Sequence, residues 1–233
     1  VYPAKHRFLM KKLALICVCV IGFIIDALGQ STDYTTLKNS IENKRQQIYV
    51  KYATADSLQR DSLVRVSYNY LFNKLLDDVF PAWYGTKWAF HGHTKTPQQG
   101  SIACGYFVTT TLQDAGFKIP RIKWAQMESE RIIRKLSSDV KRFHNAKMED
   151  VIKYINNKGD GLYIVGLDQH VGFISKQKNE LRFIHANYYQ PEVGVMDEPL
   201  VGWNPLNHSK YRVIGKILDA AMVCNWIKGY EYE

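Results

Sequence analysis

The feature of the sequence that most constrains its fold is a change in the spacing of apolar residues near Gly161. Before this point, apolar side chains recur every three or four residues, which is typical of amphipathic helices. After it, short apolar or β-branched runs alternate with turn residues, which predicts antiparallel strands. A chain with helices first and strands later is expected to adopt an α+β fold.

The predicted elements follow this division. Two helices are expected within Tyr34 to Val79, divided around Thr54 to Ser57, with Asp56 or Ser57 as a cap and Pro81 as the stop. The other predicted helices are one that starts at Cys104 and ends near Gly116, one over Arg121 to Leu136, and one over Lys147 to Asn156. The predicted strands are Leu162 to Leu167, Val171 to Ser175, Leu181 to Asn187 and Tyr211 to Leu218, with Ala220 to Ile227 as a candidate fifth.

The N-terminal segment has the three parts of a secretory signal peptide. Two lysines follow Met10, an apolar run extends to Ile25, and the small residues before Gly29 predict cleavage there. Removing residues 1–29 takes away four Lys/Arg and one acid, which lowers the formal net charge from +9 to +6. We expect an exported protein with no stable membrane insertion, whose basic charge favours an anionic cell-wall substrate over nucleic acid.

Cleavage would leave Cys104 and Cys224 as the cysteines of the mature chain. Cys104 lies between a turn-prone segment and an apolar run at helical spacing, so we expect it at a helix start. Free backbone N–H groups and the helix dipole there would lower the thiol pKa and make Cys104 a nucleophile. The alternative is a structural residue, either buried or in a disulfide with Cys224.

Two histidines in the strand half could complete such a site. His170 lies in Asp-Gln-His-Val-Gly-Phe (168–173), and His185 lies in Phe-Ile-His-Ala-Asn (183–187). A nucleophilic cysteine needs a base, and the base needs a third group that orients it. His170 is the candidate base, and either His185 or Asn187, which share a strand face, is the candidate third member.

The order Cys104, then His-Val-Gly-Phe, then Phe-Ile-His-Ala resembles the NlpC-like cysteine peptidases, papain-related enzymes that cut bacterial cell-wall peptides. The resemblance covers roughly residues 83–200. It implies a helix bearing Cys104 packed on an antiparallel sheet bearing the histidines, with Cys104 as nucleophile, His170 as base and His185 as third member. Together with the signal-peptide pattern and the helical spacing before Pro81, it divides the chain into three expected regions: a leader and signal peptide (1–29), an N-terminal helical extension (30–82) and a catalytic domain (83–233).

Two departures from the family pattern concern substrate binding. The family usually has Asp-Cys-Ser-Gly, whereas this chain has Ala-Cys-Gly-Tyr (103–106), so an acidic residue is missing. A tyrosine that helps to bind the oxyanion in the family aligns with Trp88, whose indole N–H is also a donor. Trp88 and Asn187 are therefore the candidate oxyanion-binding or substrate-binding residues. The alternative role for Trp88 is a structural one, as a packed aromatic side chain.

The resemblance implies a secreted, monomeric hydrolase that needs no cofactor and acts on peptidoglycan or muropeptides. The expected bond is of the γ-D-glutamyl-diamino acid type, with Arg121, Lys123 or Lys87 as candidate partners of substrate carboxylates. Two other classes stay open. The protein could be a non-catalytic wall-binding protein with the same fold, or His91 and His93 could bind zinc together with Cys104 or His170.

Overall fold

The computed structural model describes residues 33–233, in two units that divide between Leu37 and Lys38. The described part of the first unit, residues 33–37, is helical. The expected signal peptide lies outside the described residues. Over residues 33–233, no helix is both long and apolar enough to cross a membrane.

The second unit, Lys38–Glu233, is an α+β structure built on a six-stranded antiparallel sheet within the described residues, as the change of apolar spacing predicts. The spatial order of the strands is β1-β6-β2-β3-β4-β5. The strands are β1 (Val140–His144), β2 (Gly161–Leu167), β3 (Val171–Gln177), β4 (Glu180–Ala186), β5 (Val195–Pro199) and β6 (Tyr211–Ile217). Four of the six were predicted, and β1 and β5 were not.

The other regular elements of this unit are helices. They are α1 (38–54), α2 (Ser57–Asn73), α3 (Phe80–Trp83), α4 (Cys104–Asp114), α5 (Arg121–Ala125), α6 (Ser129–Leu136), α7 (Met148–Lys158), α8 (Pro205–His208) and α9 (Ala220–Lys228). Of these, α4 packs on β3 and β4, and α6 packs on β2 and β6. Asp56 caps α2 through a capping box with Gln59, which confirms the predicted division of the first helices.

Pro81 does not stop the helical segment, contrary to the prediction. A π-helical stretch, Lys74–Val79, follows α2, and the Phe80 N–H donates to the carbonyl of Leu75. Pro81 then lies within α3, which follows the π-helical stretch directly and ends at Trp83.

Two other predictions were wrong. The segment from Arg121 to Leu136 is two helices, because α5 packs on α4 while α6 packs on β2 and β6. The tail is the helix α9 and not a strand, since the Asp219 side chain accepts from the Met222 N–H and Gly229 ends the helix in the left-handed region.

A cluster of three buried phenylalanines holds the cysteine-bearing helix against the sheet. Phe80 of α3 lies 4.8 Å from Phe173 of β3 between ring centroids, and Phe107 of α4 lies 6.1 Å from both. All three side chains are fully buried. Because Phe107 is one turn from Cys104 and Phe173 is three residues from His170, this packing brings the segments that bear Cys104 and His170 together.

Candidate active site

Cys104 is the first residue of α4, as the sequence predicts. Ala103 before it is extended, with φ −82° and ψ 160°, and no side chain caps the helix. The first N–H groups of a helix have no partner within it. Those of Cys104 and Gly105 lie close enough to the thiol to interact with its charged form, as does the N–H of Val171. Three backbone donors therefore surround the sulfur.

Gly105 allows α5 to approach the start of α4. A Cβ at this position would lie 2.2 Å from the carbonyl oxygen of Ala125, which is a backbone atom and cannot move independently. The serine that the resembled family usually has here would not fit this packing. The departure from the family pattern at Gly105 therefore has a structural cause in the position of α5.

The two histidines form a hydrogen-bonded chain that continues to a carboxylate. His170 Nε2 lies 2.8 Å from His185 Nδ1, and His185 Nε2 lies 2.8 Å from Glu198 Oε1. The side chain of His185 is fully buried and that of Glu198 is 13% exposed. Cys104 and His170 line the same cavities. The predicted Cys104, His170 and His185 are thus brought to one place, with Glu198 as an additional member.

The register of the strands explains how His185 comes to lie next to Glu198. Phe183 of β4 pairs with Glu198 of β5, and residues two apart share a face, so His185 and Glu198 are diagonal neighbours. Phe183 stacks on His185 with ring centroids 4.0 Å apart. On β3, a Cβ at Gly172 would lie 2.8 Å from the Cβ of His185, so glycine leaves the space in which His185 reaches His170.

Two buried polar atoms without a hydrogen-bond partner face this region. Among the described residues, four buried side-chain polar atoms lack a partner: Ser67 Oγ, Trp88 Nε1, Tyr154 OH and His170 Nδ1. Trp88 and His170 both line a cavity of about 950 Å³ together with Cys104. Unpaired buried polar groups are costly, and such groups are typical of sites that a ligand completes.

The cavity on the Trp88 side is aromatic. Its walls include Phe90, Tyr106 and Tyr188. A second cavity of about 440 Å³ also borders Cys104 and His170, and its walls include the acidic residues Glu128, Glu130 and Asp168.

Neither cavity has a lysine or arginine among its described lining residues. The expected basic cleft is therefore not observed. Arg121 is buried, and its guanidinium donates to Thr110 Oγ1 and to the carbonyl oxygens of His93 and Thr94. Lys87 pairs with Glu192, with 2.6 Å between the charged atoms. Lys123 is exposed and lines neither cavity.

The thiol and the imidazole are neutral at rest. Burial raises the pKa of Cys104, and the backbone N–H groups of Val171, Gly105 and Cys104 offset only part of this effect. Burial, with a smaller contribution from His185, holds the pKa of His170 well below its usual value. The expectation of a lowered pKa at Cys104 is thus wrong, because desolvation of the thiolate outweighs the helix start when His170 carries no charge.

Asn187 is fully buried and committed to other contacts. Its Oδ1 accepts from the Tyr189 N–H at 2.8 Å, and its Nδ2 lies 3.3 Å from Met196 Sδ. These bonds hold the turn after β4. The side chain that is hydrogen-bonded to His170 is that of His185, the other candidate for the third member.

Cys104 and Cys224 are both free thiols, so they do not form the alternative disulfide. His93 Nδ1 lies 2.9 Å from the carbonyl oxygen of His91. Within the described part of the chain, no three His, Cys, Asp or Glu side chains are grouped so as to hold a metal ion.

Two residues of the site were not identified from the sequence. Glu198 lies in Val-Met-Asp-Glu-Pro (195–199), a short polar segment that we did not predict as a strand. Tyr188 packs on His170, with ring centroids 5.1 Å apart, and lies near Cys104. Burial and Tyr189 raise the pKa of Tyr188 to about 12, so its hydroxyl remains protonated. The sequence signal that could have identified Tyr188 is its position directly after His-Ala-Asn (185–187).

Comparison with known proteins identifies no family for this chain. No family model matches the chain, and no curated protein matches it. It is similar to two crystal structures of an N-acetylmuramoyl-L-alanine amidase from Bacteroides uniformis ATCC 8492. One has a TM-score of 0.31 at 11% identity and matches over 64% of this chain and 99% of the amidase chain. The other has a TM-score of 0.30 at 11% identity, over 61% and 98%. A likeness this distant says nothing about activity.

Proposed function

We propose that this protein is a cysteine hydrolase that cleaves an amide bond through Cys104 and His170. The observation that carries the proposal is the unpartnered Nδ1 of buried His170, which lines the same cavity as the thiol of Cys104. The other ring nitrogen of His170 is held by His185, as a general base requires. In this proposal, residues 83–233 form the catalytic domain and residues 30–82 a helical extension.

The first half of the reaction forms a thioester. Sγ of Cys104 attacks the amide carbon while Nδ1 of His170 takes the thiol proton, and the carbonyl electrons move to oxygen. When the C–N bond breaks, the departing amine takes the proton from His170. Because both groups start neutral, the proton moves as the S–C bond forms. His185 then stabilises the transient imidazolium by accepting from its Nε2–H.

The second half hydrolyses the thioester. Water enters the cavity after the amine leaves, and Nδ1 of His170 takes a proton from it as its oxygen attacks the carbonyl carbon. The C–S bond then breaks, the acid is released, and the Cys104 sulfur recovers its proton from His170. In both halves, the N–H groups at the start of α4 and the free indole N–H of Trp88 are the available donors for the oxyanion.

We further propose a peptidoglycan stem peptide as the substrate, with the γ-D-glutamyl-diamino acid bond as the candidate. The resemblance of the Cys, His-Val-Gly and His-Ala segments to NlpC-like peptidases supports this choice, as do the expected export and basic charge. In the second cavity Glu128 is the candidate partner for the amino group of a diamino acid, because Glu130 is already paired with Arg134 and Arg142 and Asp168 accepts from Ser209 and Lys210. The aromatic cavity suits less polar parts of the substrate.

The test is incubation of the mature protein and its Cys104→Ala variant with purified sacculi and soluble muropeptides, followed by mass spectrometry. We expect new stem-peptide fragments from the wild type and none from the variant. If neither protein cleaves any amide while both bind sacculi tightly, the wall-binding alternative replaces this proposal. Cleavage by both proteins would exclude Cys104 as the nucleophile.

Replacing Trp88 with phenylalanine is expected to lower kcat by about 10²-fold and to leave KM nearly unchanged, because the indole donor acts mainly on the oxyanion. Steady-state kinetics on the muropeptide identified above would measure both constants. Phe90→Leu is the matched control, since Phe90 lines the same cavity and its side chain is a hydrocarbon without a donor. A rise in KM alone for Trp88→Phe would indicate substrate packing instead.

A further inference from the structure

Glu198 is a partly buried carboxylate at the end of the hydrogen-bonded series His170–His185–Glu198, and the proposed reaction leaves its role open. It lies on β5, one strand beyond the histidine-bearing β4, and its Oε1 is 2.8 Å from His185 Nε2. A salt bridge at this distance is expected only if His185 is charged. Burial lowers the pKa of His185 to about 3, so at neutral pH the contact is a hydrogen bond to a neutral imidazole.

We propose that Glu198 is the positioning residue that sets the tautomers of His185 and His170, and that proton uptake by the Glu198–His185 pair inactivates the base. The proposal rests on the proposed function for the role of His170 as base.

A neutral imidazole has one N–H and one acceptor nitrogen, so each hydrogen bond in the chain determines the next. An ionised Glu198 can only accept, which makes His185 Nε2 the donor and His185 Nδ1 the acceptor. His170 must then donate from Nε2, and its Nδ1 is left as an acceptor. Nδ1 is the buried, unpartnered atom of His170, whose side chain lines the cavity with Cys104. The ionised carboxylate therefore presents the base in its active form.

Adding one proton to the Glu198–His185 pair reverses the direction of the hydrogen bond between His185 and His170. If Glu198 takes the proton on Oε1, the oxygen that contacts His185, its O–H donates to His185 Nε2, and His185 Nδ1 carries the hydrogen. If His185 takes the proton, its Nδ1 also carries a hydrogen. In both cases His185 donates to His170 Nε2, so a neutral His170 must hold its hydrogen on Nδ1. His170 can then no longer accept the proton of Cys104.

The surroundings of Glu198 place this change near neutral pH. Burial raises the pKa of Glu198 to about 7, Arg182 acts against this shift, and Asp197 adds to it. Arg182 and Asp197 pair with each other on the opposite face of β4 and β5. Tyr84, at the end of α3, faces Asp197 and Arg182, and burial keeps its hydroxyl protonated. Among the described residues, His185, Arg182 and Asp197 act on Glu198 directly, and Tyr84 faces the Arg182–Asp197 pair.

The test reads the tautomers directly by ¹⁵N NMR of histidine-labelled full-length protein, which needs no substrate. At pH 8.5 we expect both histidines to carry hydrogen on Nε2. Below about pH 7, we expect hydrogen on Nδ1 of both. Alkylation of Cys104 by iodoacetamide should slow about tenfold per pH unit below the same midpoint. Because neither measurement depends on turnover, failure to cleave muropeptides would leave this test intact.

Glu198→Gln should remove the pH-dependent change of the histidine tautomers, since an amide does not take up a proton in this pH range. Glu180→Gln, at the exposed start of β4, is the control and should keep it. Asp197→Asn should move the midpoint to lower pH and Arg182→Gln to higher pH, which keeps the test decisive if Glu198→Gln does not fold. Any of three results would overturn the proposal. The first is hydrogen on Nδ1 of His170 at pH 8.5, and the second is a tautomer transition that persists in Glu198→Gln. The third is a transition midpoint that stays unchanged in both Asp197→Asn and Arg182→Gln.

Discussion

Replacing His170 with alanine is expected to lower amide hydrolysis by about 10⁴- to 10⁶-fold, the range seen when a nucleophile loses its base. Burial raises the pKa of the Cys104 thiol and keeps it protonated, and His170 is the cavity imidazole that the side chain of His185 holds in place. Steady-state hydrolysis and the rate of Cys104 alkylation at pH 8 measure the loss. Exposed His144 on β1 provides the control His144→Ala, which should match the wild type. A His170→Ala enzyme within tenfold of the wild type would exclude His170 as the base.

The companion change at His185 distinguishes an orienting role from a structural one. His185→Ala leaves His170 Nε2 without its acceptor, and we expect a loss of about 10²- to 10³-fold, smaller than for His170. His185→Asn should recover part of this activity because asparagine places an oxygen where His185 has Nδ1. Asn187 is not expected to compensate, since its amide is held by Tyr189 and Met196. Equal losses in the alanine and asparagine variants would indicate that His185 acts only in packing.

Gly172→Ala is expected to lower hydrolysis by about 10²-fold and the free energy of unfolding by about 1–3 kcal/mol. The added Cβ would lie 2.8 Å from His185 Cβ and from Phe183 Cε2, and 2.9 Å from the carbonyl oxygen of Ile184. All three contacts belong to β4, so either β4 shifts or His185 moves away from His170. Chemical denaturation and steady-state kinetics measure the two effects.

Gly85→Ala is the matched control for this change. Gly85 has φ +81°, and nothing lies within 4 Å of an added Cβ, so the cost is conformational and about 1–2 kcal/mol. Stability should therefore fall in both variants, while hydrolysis should fall only in Gly172→Ala. Comparable hydrolysis by the two folded variants would show that the space at Gly172 is not needed to position His185.

Local sequence patterns were enough to predict much of the fold. The capped start of α2, the helix start at Cys104 and the strands around His170 and His185 each follow from the spacing of apolar residues over a few positions. The same patterns failed for the tail, where short apolar runs fit either a helix or a strand. They also failed for the segment after Arg121, because one continuous apolar spacing conceals two helices with different packing partners.

The sequence by itself thus determined the α+β class and the candidates Cys104, His170 and His185, because helix starts and strand periods are local properties. Only the tertiary structure decided how these groups are linked. Glu198 reaches His185 through the pairing of β4 with β5, an edge strand with little apolar character of its own. The raised pKa of Cys104 and the lowered pKa of His170 arise from burial. Register and burial depend on contacts between segments far apart in the chain, which local spacing does not encode.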